Sequence, residues 1–451
     1  SSLLLADLSD AANKNVLFTN IVPPVTGTTL QNNNGQKVAT LSGDYKYLTI
    51  KGANVSIDED IDLSVATNKL NKVSIYDSNI TVESGKTIQD GAAPNVSAST
   101  NLTTQGYILG VNNGKTLTNK GTITLNSTTP AELKVLVAIG TDRQTPTTSS
   151  KAINEGTVTS KIDKGIAIYA GEDAVGINES TGVITVDGTK AFGMVGSSSN
   201  IENKKDITVN GASSIGMYSI ETAATPVKTA VNNGTITTTG DMNIGMVAKN
   251  SNITNDINGI IKLNSSNDNV GMYSEGNRGT ITNNGKIEGI DKTIGIYGNT
   301  DIVLGNSSSI TVGDSGVGLY SNTGNITVNS GAKVQLIKGG SGSTPADGAT
   351  GVFIENKGSA STVNINVYDL VQGGLGKKSY GYFFKDVDNL TYTNTNGSSP
   401  ITLDDGSIFI YSDATGGAGI QNAQDMTSIG NEVIGIYQKG GIIRNSGKLE
   451  F

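Results

Sequence analysis

Gly313-Asp314-Ser315-Gly316 is the tetrapeptide that frames the nucleophile of many serine proteases, and it is the obvious place to look for chemistry in this chain. A serine hydroxyl is a weak nucleophile at neutral pH and needs a base, ordinarily histidine, to take its proton. The 451 residues contain no histidine. Ser315 is therefore expected to be a turn residue, with Asp314 and Ser315 hydrogen-bonding their own corner. The chain also lacks cysteine, so the usual ligands of zinc, haem and iron–sulfur clusters are missing along with thiol nucleophiles. Only carboxylates, hydroxyls and lysine are left for catalysis. No catalytic residue, metal site or cofactor is assigned, and the chain is not expected to be an enzyme.

Other motif fragments fail on spacing. Gly85-Lys86-Thr87 and Gly114-Lys115-Thr116 resemble the ends of phosphate loops, yet the positions that should hold the leading glycine are Ile80 and Leu109. Asp58-Glu59-Asp60-Ile61-Asp62 opens like a calcium loop, but Leu63 stands where glycine is needed and Lys69 where glutamate is needed. These read as turns and as a solvated acidic strand face. A net charge of −8 and only three arginines (Arg143, Arg278, Arg444) argue against nucleic acid as a partner. No apolar run reaches the roughly 18 residues needed to cross a membrane as a helix.

The surroundings of Ser315 explain it better. Gly316-Val317-Gly318-Leu319-Tyr320 is one copy of a unit repeated at Ser214-Ile215-Gly216-Met217-Tyr218, Asn243-Ile244-Gly245-Met246-Val247, Asn269-Val270-Gly271-Met272-Tyr273, Thr293-Ile294-Gly295-Ile296-Tyr297 and Val433-Ile434-Gly435-Ile436-Tyr437. Looser copies include Ile166-Ala167-Ile168-Tyr169, Phe192-Gly193-Met194-Val195, Gly351-Val352-Phe353, Tyr380-Gly381-Tyr382-Phe383 and Ile408-Phe409-Ile410-Tyr411. The unit recurs every 23 to 33 residues. Between the copies run Asn154-Glu155-Gly156-Thr157-Val158, Asn232-Asn233-Gly234-Thr235-Ile236, Asn283-Asn284-Gly285-Lys286-Ile287 and similar stretches. They are expected to be corners where Asn and Gly take a left-handed backbone, followed by short alternating strands.

A single turn of such strands cannot bury its apolar face alone; stacking turns closes a core and pairs the backbones. The expected fold is all-β, a right-handed parallel β-helix of roughly 14 turns over residues 41–451. All eight prolines fall outside the repeated strands, as ladder hydrogen bonding requires. Residues 1–40 are expected to form an N-terminal cap, with Ser2–Asn13 as a short amphipathic helix over the first turn. Polar insertions are placed near 141–151, 221–229 and 339–350. The last turn motif stops at Phe451, which suggests that the natural chain continues.

Strand alternation gives the repeat a functional candidate. If Ile and Met of Ile-Gly-Met-Tyr point inward, Gly and Tyr point outward, and Tyr169, Tyr218, Tyr273, Tyr297, Tyr320, Tyr411 and Tyr437 form an outer stripe beside glycine. Tyr218, Tyr273, Tyr297, Tyr320 and Tyr437 are the candidate ligand-binding residues, since a tyrosine ring offers a rigid apolar face and a hydroxyl. Alternatively the rings only shield the sheet.

The joint pattern of x-Ile-Gly-Met/Ile-Tyr with Asn-Asn-Gly-x-Ile, in a chain rich in Asn, Lys and Ile, resembles the passenger repeats of fusobacterial type Va autotransporter adhesins, the RadD-like group, over roughly residues 100–451. The resemblance implies a passenger domain exported to the bacterial cell surface and outer membrane. A C-terminal β-barrel absent from this sequence would hold it there, and it would act in coaggregation or host attachment, with virulence as the consequence. The partners it implies are host-cell or bacterial surface proteins or glycans; a monomer is expected. Two other readings stay open: a β-helical carbohydrate-active enzyme with paired carboxylates on an outer face, and a non-binding spacer for a distal domain.

Overall fold

The computed structural model describes residues 3–8, 15–18, 29–31, 37–40, 47–62, 73–89, 106–126, 136–141, 149–222, 227–356 and 361–451. The chain divides into two compact units, Ser1–Ala223 and Ala224–Phe451. Both are β-solenoids of parallel strands. Each turn contributes three strands to three separate columns, as in Ile294–Gly298, Asp301–Leu304 and Ser309–Val312 of the second unit.

In the first unit the glycine-bearing column runs through Gly106–Val111, Leu136–Thr141, Gly165–Ala170, Phe192–Ser197 and Ile215–Ile220. In the second it runs through eight strands, from Ile244–Lys249 to Ile434–Gln438. The turns stack without slippage because the third column pins the register. Ile261 lies over Ile287, Ile287 over Ile310 and Ile310 over Val334, and all four are fully buried. Their outward neighbours alternate with them as polar or half-exposed residues, the period-two pattern of a strand with one buried face. Each such aliphatic side chain contributes about 1.5–3 kcal/mol by burial.

The N-terminal helix is not formed where the chain is described. Leu3–Asp7 is a strand, parallel to Tyr47–Lys51, with Leu4 beside Leu48 and Ala6 beside Ile50. A short apolar run fits a helix or a strand equally well by pattern. An adjacent strand edge decides, because ladder hydrogen bonds are available at once while a short helix must meet a costly nucleation step. Val73–Tyr76 extends the same three-stranded sheet. Most of the 141–151 insertion, and 223–226 of the second, fall outside the described residues. The 339–350 insertion is described: a 3-10 turn at Lys338–Gly340 leads to Pro345, which bridges back to Ile337.

The corners differ from expectation in a way that explains the asparagines. Gly156 and Gly285 do not take a left-handed backbone; a Cβ on either would strike a carbonyl of the preceding turn, Gly121 or Gly259. The asparagine before each one points inward. Asn119 donates to Asn154, Asn154 to Asn178 and Asn178 to Asn203, each at 2.8 Å, in the first unit. In the second, Asn232 donates to Asn255 and Asn255 to Asn283, again at 2.8 Å, and Asn283 ends the run on Ser308 at 2.7 Å. All are fully buried. A recurring set of left-handed residues sits at a different corner, just before the glycine-bearing strands: Lys164, Lys190 and Ser213 in one unit, Met242, Asp268, Lys292 and Ser315 in the other, with φ between 53° and 59°.

Candidate functional site

Ser315 has φ 55° and is the corner residue of its turn. Its backbone N–H donates to Asp347 at 2.8 Å, while Asp314 accepts from the Asp347 N–H at 2.9 Å and pairs with Lys338 at 3.5 Å. The GDSG tetrapeptide is thus a corner tied to the next turn. Gly85 and Gly114, of the two phosphate-loop fragments, are left-handed turn residues at φ 77° and 76°. Asp60 accepts from the Thr87 N–H at 2.8 Å, and Asp58 pairs with Lys86 at 3.2 Å.

The repeated Ile-Gly-Met-Tyr strand does not follow strict alternation. A Cβ on Gly245 would lie 2.7 Å from Cγ2 of the buried Ile261 and 2.6 Å from the carbonyl oxygen of Gly271. The glycine therefore faces the core, not the tyrosine side. The residue after it faces the core too: Met217, Met246, Met272, Ile296 and Leu319 are fully buried. Two successive inward residues bend the strand, and the first and fourth positions share the outer face. Tyr380 and Phe383 show the consequence directly, with ring centroids 4.9 Å apart edge to face. In the first unit Tyr169, Phe192 and Tyr218 pack against Ile166 and Val195 in a small apolar cluster. The glycine flattening expected beside each ring is replaced by a column of Ile and Val.

Of the five candidate residues, Tyr273, Tyr297 and Tyr320 meet one another. Tyr273 and Tyr297 have centroids 5.4 Å apart, tilted, and Tyr297 stacks on Tyr320 at 4.4 Å. The run continues through Phe353, Phe383 and Tyr411 to Tyr437, with successive separations of 5.1, 5.0, 4.8 and 5.1 Å. Tyr218 belongs to the first unit and contacts Phe192 at 5.8 Å. Within the second unit the stripe is thus an unbroken ladder of seven rings. Phe353 and Phe383, which lie outside the expected tyrosine stripe, belong to the ladder; the sequence signal for them is their place two residues after the repeat glycines Gly351 and Gly381.

Within the ladder Tyr297 and Tyr320, and Phe383, Tyr411 and Tyr437, stack face on face, whereas Phe353 meets Tyr320 and Phe383 edge to face. Beside it run Ile244, Val270, Ile294 and Val317, all half-buried on the same outer face. The result is an apolar strip, two residues wide, on the solvent side of a sheet where polar residues would ordinarily stand.

Polar groups flank the strip at Tyr320. Its hydroxyl donates to Glu355 Oε2 at 2.8 Å, and Lys385 Nζ donates to Oε1 at 2.8 Å. Burial first, then the hydrogen bond to Glu355, holds the Tyr320 phenol well above its ordinary range. Burial also raises Tyr273, aided by the charge of Glu275, and Tyr411, aided by Tyr437. Among the described residues no cluster of three or more acidic side chains is placed to hold a metal ion.

Neither a curated protein nor a solved structure matches the chain. One family model does, that of the BigA third pectate lyase-like domain, over residues 48–286, just over half of the sequence. The parallel solenoid columns of those residues fit a pectate lyase-like domain, and the chain belongs to this family.

Proposed function

We propose that the chain is a bacterial surface domain of the autotransporter-passenger type that works by adhesion, docking a partner protein of a host or neighbouring bacterial cell on its apolar strip. The observation that carries the reading is the strip itself: Tyr273, Tyr297 and Tyr320 in ring contact, beside Val270, Ile294 and Val317 on the same outer face. Tyrosine is enriched at interface hot spots, and rigid rings let a partner displace water without ordering flexible side chains. A protein is favoured over a stacked glycan because Tyr297 and Tyr320 already stack on each other and the Ile294 and Val317 side chains beside them offer no hydrogen-bonding group. The kinship to a pectate lyase-like domain and the likeness to fusobacterial passenger repeats support an exported surface protein.

Binding of the 451-residue chain to host cells and partner bacteria tests the proposal, comparing it with the Tyr273→Ser, Tyr297→Ser, Tyr320→Ser triple variant and with a variant lacking residues 339–350. Attachment lost in the triple variant and kept in the loop deletion is the expected outcome. A triple variant that loses stability but binds as before would reduce the strip to a protective ladder.

A further inference from the structure

In the second unit the middle column breaks once. It runs through Thr229–Asn232, Asn252–Asn255, Thr280–Asn283, Asp301–Leu304 and Ile326–Val328, and stops. The next strand at that level, Thr362–Asn366, opens a separate four-stranded sheet with Asn389–Asn394, Gly416–Asn422 and Ile443–Asn445. The buried asparagine ladder lapses at the same place: Asn283 ends on Ser308, and the following positions hold Leu304 and Val328. Places where a repeat abandons its own rules are where function is to be sought.

A groove of about 380 Å³ opens at this break, lined by Thr280, Asp301, Val303, Asn325, Thr327 and Asn364 together with Ile326 and Thr362. That volume lies in the range of small-molecule sites, roughly 300–1,000 Å³. Strands 326–328 and 362–366 approach within 8 Å, whereas an inserted peptide strand would need about 9.6 Å between its two neighbours. A guest strand is therefore excluded, and the ligand must be recognised by side chains.

Those side chains have one chemistry. Asp301 is exposed, and its Oδ1 accepts a hydrogen bond from Asn325 Nδ2 at 3.1 Å, so that a carboxylate and an amide stand side by side in the groove lining. Asn364 and Thr327 are exposed and add amide and hydroxyl groups. Val303 and Ile326 supply an apolar floor. Among the described residues no lysine or arginine lines the groove, so a carboxylate, sulfate or phosphate ligand would meet Asp301 without a cation beside it there. A side-by-side carboxylate and amide match two neighbouring hydroxyls, one donating and one accepting, and the apolar floor suits the C–H face of a ring.

We infer that this groove binds a neutral, hydroxyl-rich saccharide, at a site separate from the apolar strip. The test is saturation-transfer NMR on the 451-residue chain with methyl α-mannoside, methyl β-galactoside and methyl β-N-acetylglucosaminide, against galacturonate and glucosamine as acidic and cationic controls. At least one neutral glycoside should give transfer, and Asp301→Ala with Asn364→Ala should weaken its affinity by about tenfold or more, the loss expected for one charge-assisted hydrogen bond. Both positions are exposed, so circular dichroism and the unfolding midpoint should stay as in the parent. Transfer to galacturonate or glucosamine alone, to none of the five probes, or equally to parent and double variant would overturn the inference. The Tyr273/Tyr297/Tyr320 variant should keep glycoside binding, so that failure of the strip reading and failure of this one are separately visible.

Discussion

Tyr320 and Glu355 are joined across two turns of the second unit by a 2.8 Å hydrogen bond in which the phenol donates and the carboxylate accepts. Glu355 is 9% exposed, and a carboxylate so placed needs partners such as Tyr320 and Lys385. Tyr320→Phe keeps the stacking on Tyr297 and removes only the donor. It should lower stability by about 1–2 kcal/mol, as for a lost hydrogen bond to a charged group at a half-buried site. Glu355→Gln retains an acceptor and should cost less. Urea unfolding of the two single variants and the double variant decides the matter: strictly additive losses would mean that the two residues do not act as a pair.

The asparagine ladder makes a second demand. Asn255 accepts from Asn232, and its Nδ2 lies within hydrogen-bonding distance of Asn283 Oδ1 at 2.8 Å and the Lys286 carbonyl at 3.2 Å. Asn255→Ala strips these and takes one buried partner each from the Asn232 amide N–H and the Asn283 Oδ1, so a loss of about 2–3 kcal/mol is expected. Asn255→Asp should be as damaging, because an ionised side chain cannot donate to Asn283. The neighbouring Thr254→Ala, half-buried on the outer face, should change stability by less than about 0.5 kcal/mol. Equal midpoints for Asn255→Ala and Thr254→Ala would show the ladder to be ornamental.

Glycine supplies a third contrast. Gly245 faces both a carbonyl oxygen and a core isoleucine at under van der Waals distance from any added Cβ, at 2.6 and 2.7 Å. Neither obstacle is the end of a flexible side chain. Gly245→Ala should cost on the order of 2–4 kcal/mol through displaced backbone. Gly342, at φ 92° with nothing within 4 Å of an added Cβ, should lose only about 1–2 kcal/mol on substitution by alanine, from backbone strain alone. Thermal unfolding followed by circular dichroism would rank them, and the reverse order would show that the packing at Gly245 relaxes freely.

The periodicity of glycine and tyrosine disclosed the parallel solenoid, because 23- to 33-residue spacing with short alternating strands leaves few other ways to bury the apolar face. The rejection of Ser315 as a nucleophile was equally legible, since it needed only a missing residue type. What alternation could not reveal was the bend that turns Gly245 and Met246 both inward and moves Ile244 out. Period two assumes an extended strand, and a glycine at a close approach breaks that assumption. The asparagines looked like turn formers because Asn is common there; their side-chain ladder depends on register between turns, which no single turn displays. The break near Val328 was hidden for the same reason, being a relation between strands 34 or more residues apart.

Alkaline pH gives the last prediction. Tyr382 and Tyr392 are packed inside the second unit with ring centroids 5.2 Å apart, and both are fully buried. Burial raises both phenols well above the usual value; the Val371 N–H, donating to the Tyr382 hydroxyl at 3.0 Å, offsets part of this for Tyr382. Tyr320 is raised in the same direction. A group whose pKa is higher folded than unfolded contributes its full stability below the unfolded value, about 10, and loses it as pH climbs towards the folded one. Stability should therefore be flat through neutral pH and fall above about pH 10. Tyrosinate absorbance at 295 nm should show a lagging fraction that is released together with the loss of far-ultraviolet circular dichroism. The Tyr392 hydroxyl is buried beside the Tyr382 hydroxyl and the Asn394 side chain without a well-formed hydrogen bond, so Tyr392→Phe removes a poorly satisfied polar group as well as a titrating one. It should leave stability at pH 7 unchanged or raise it by up to about 1 kcal/mol, and should move the alkaline transition upward. A downward move would mean that this hydroxyl is engaged and that the interior is more polar than its packing indicates.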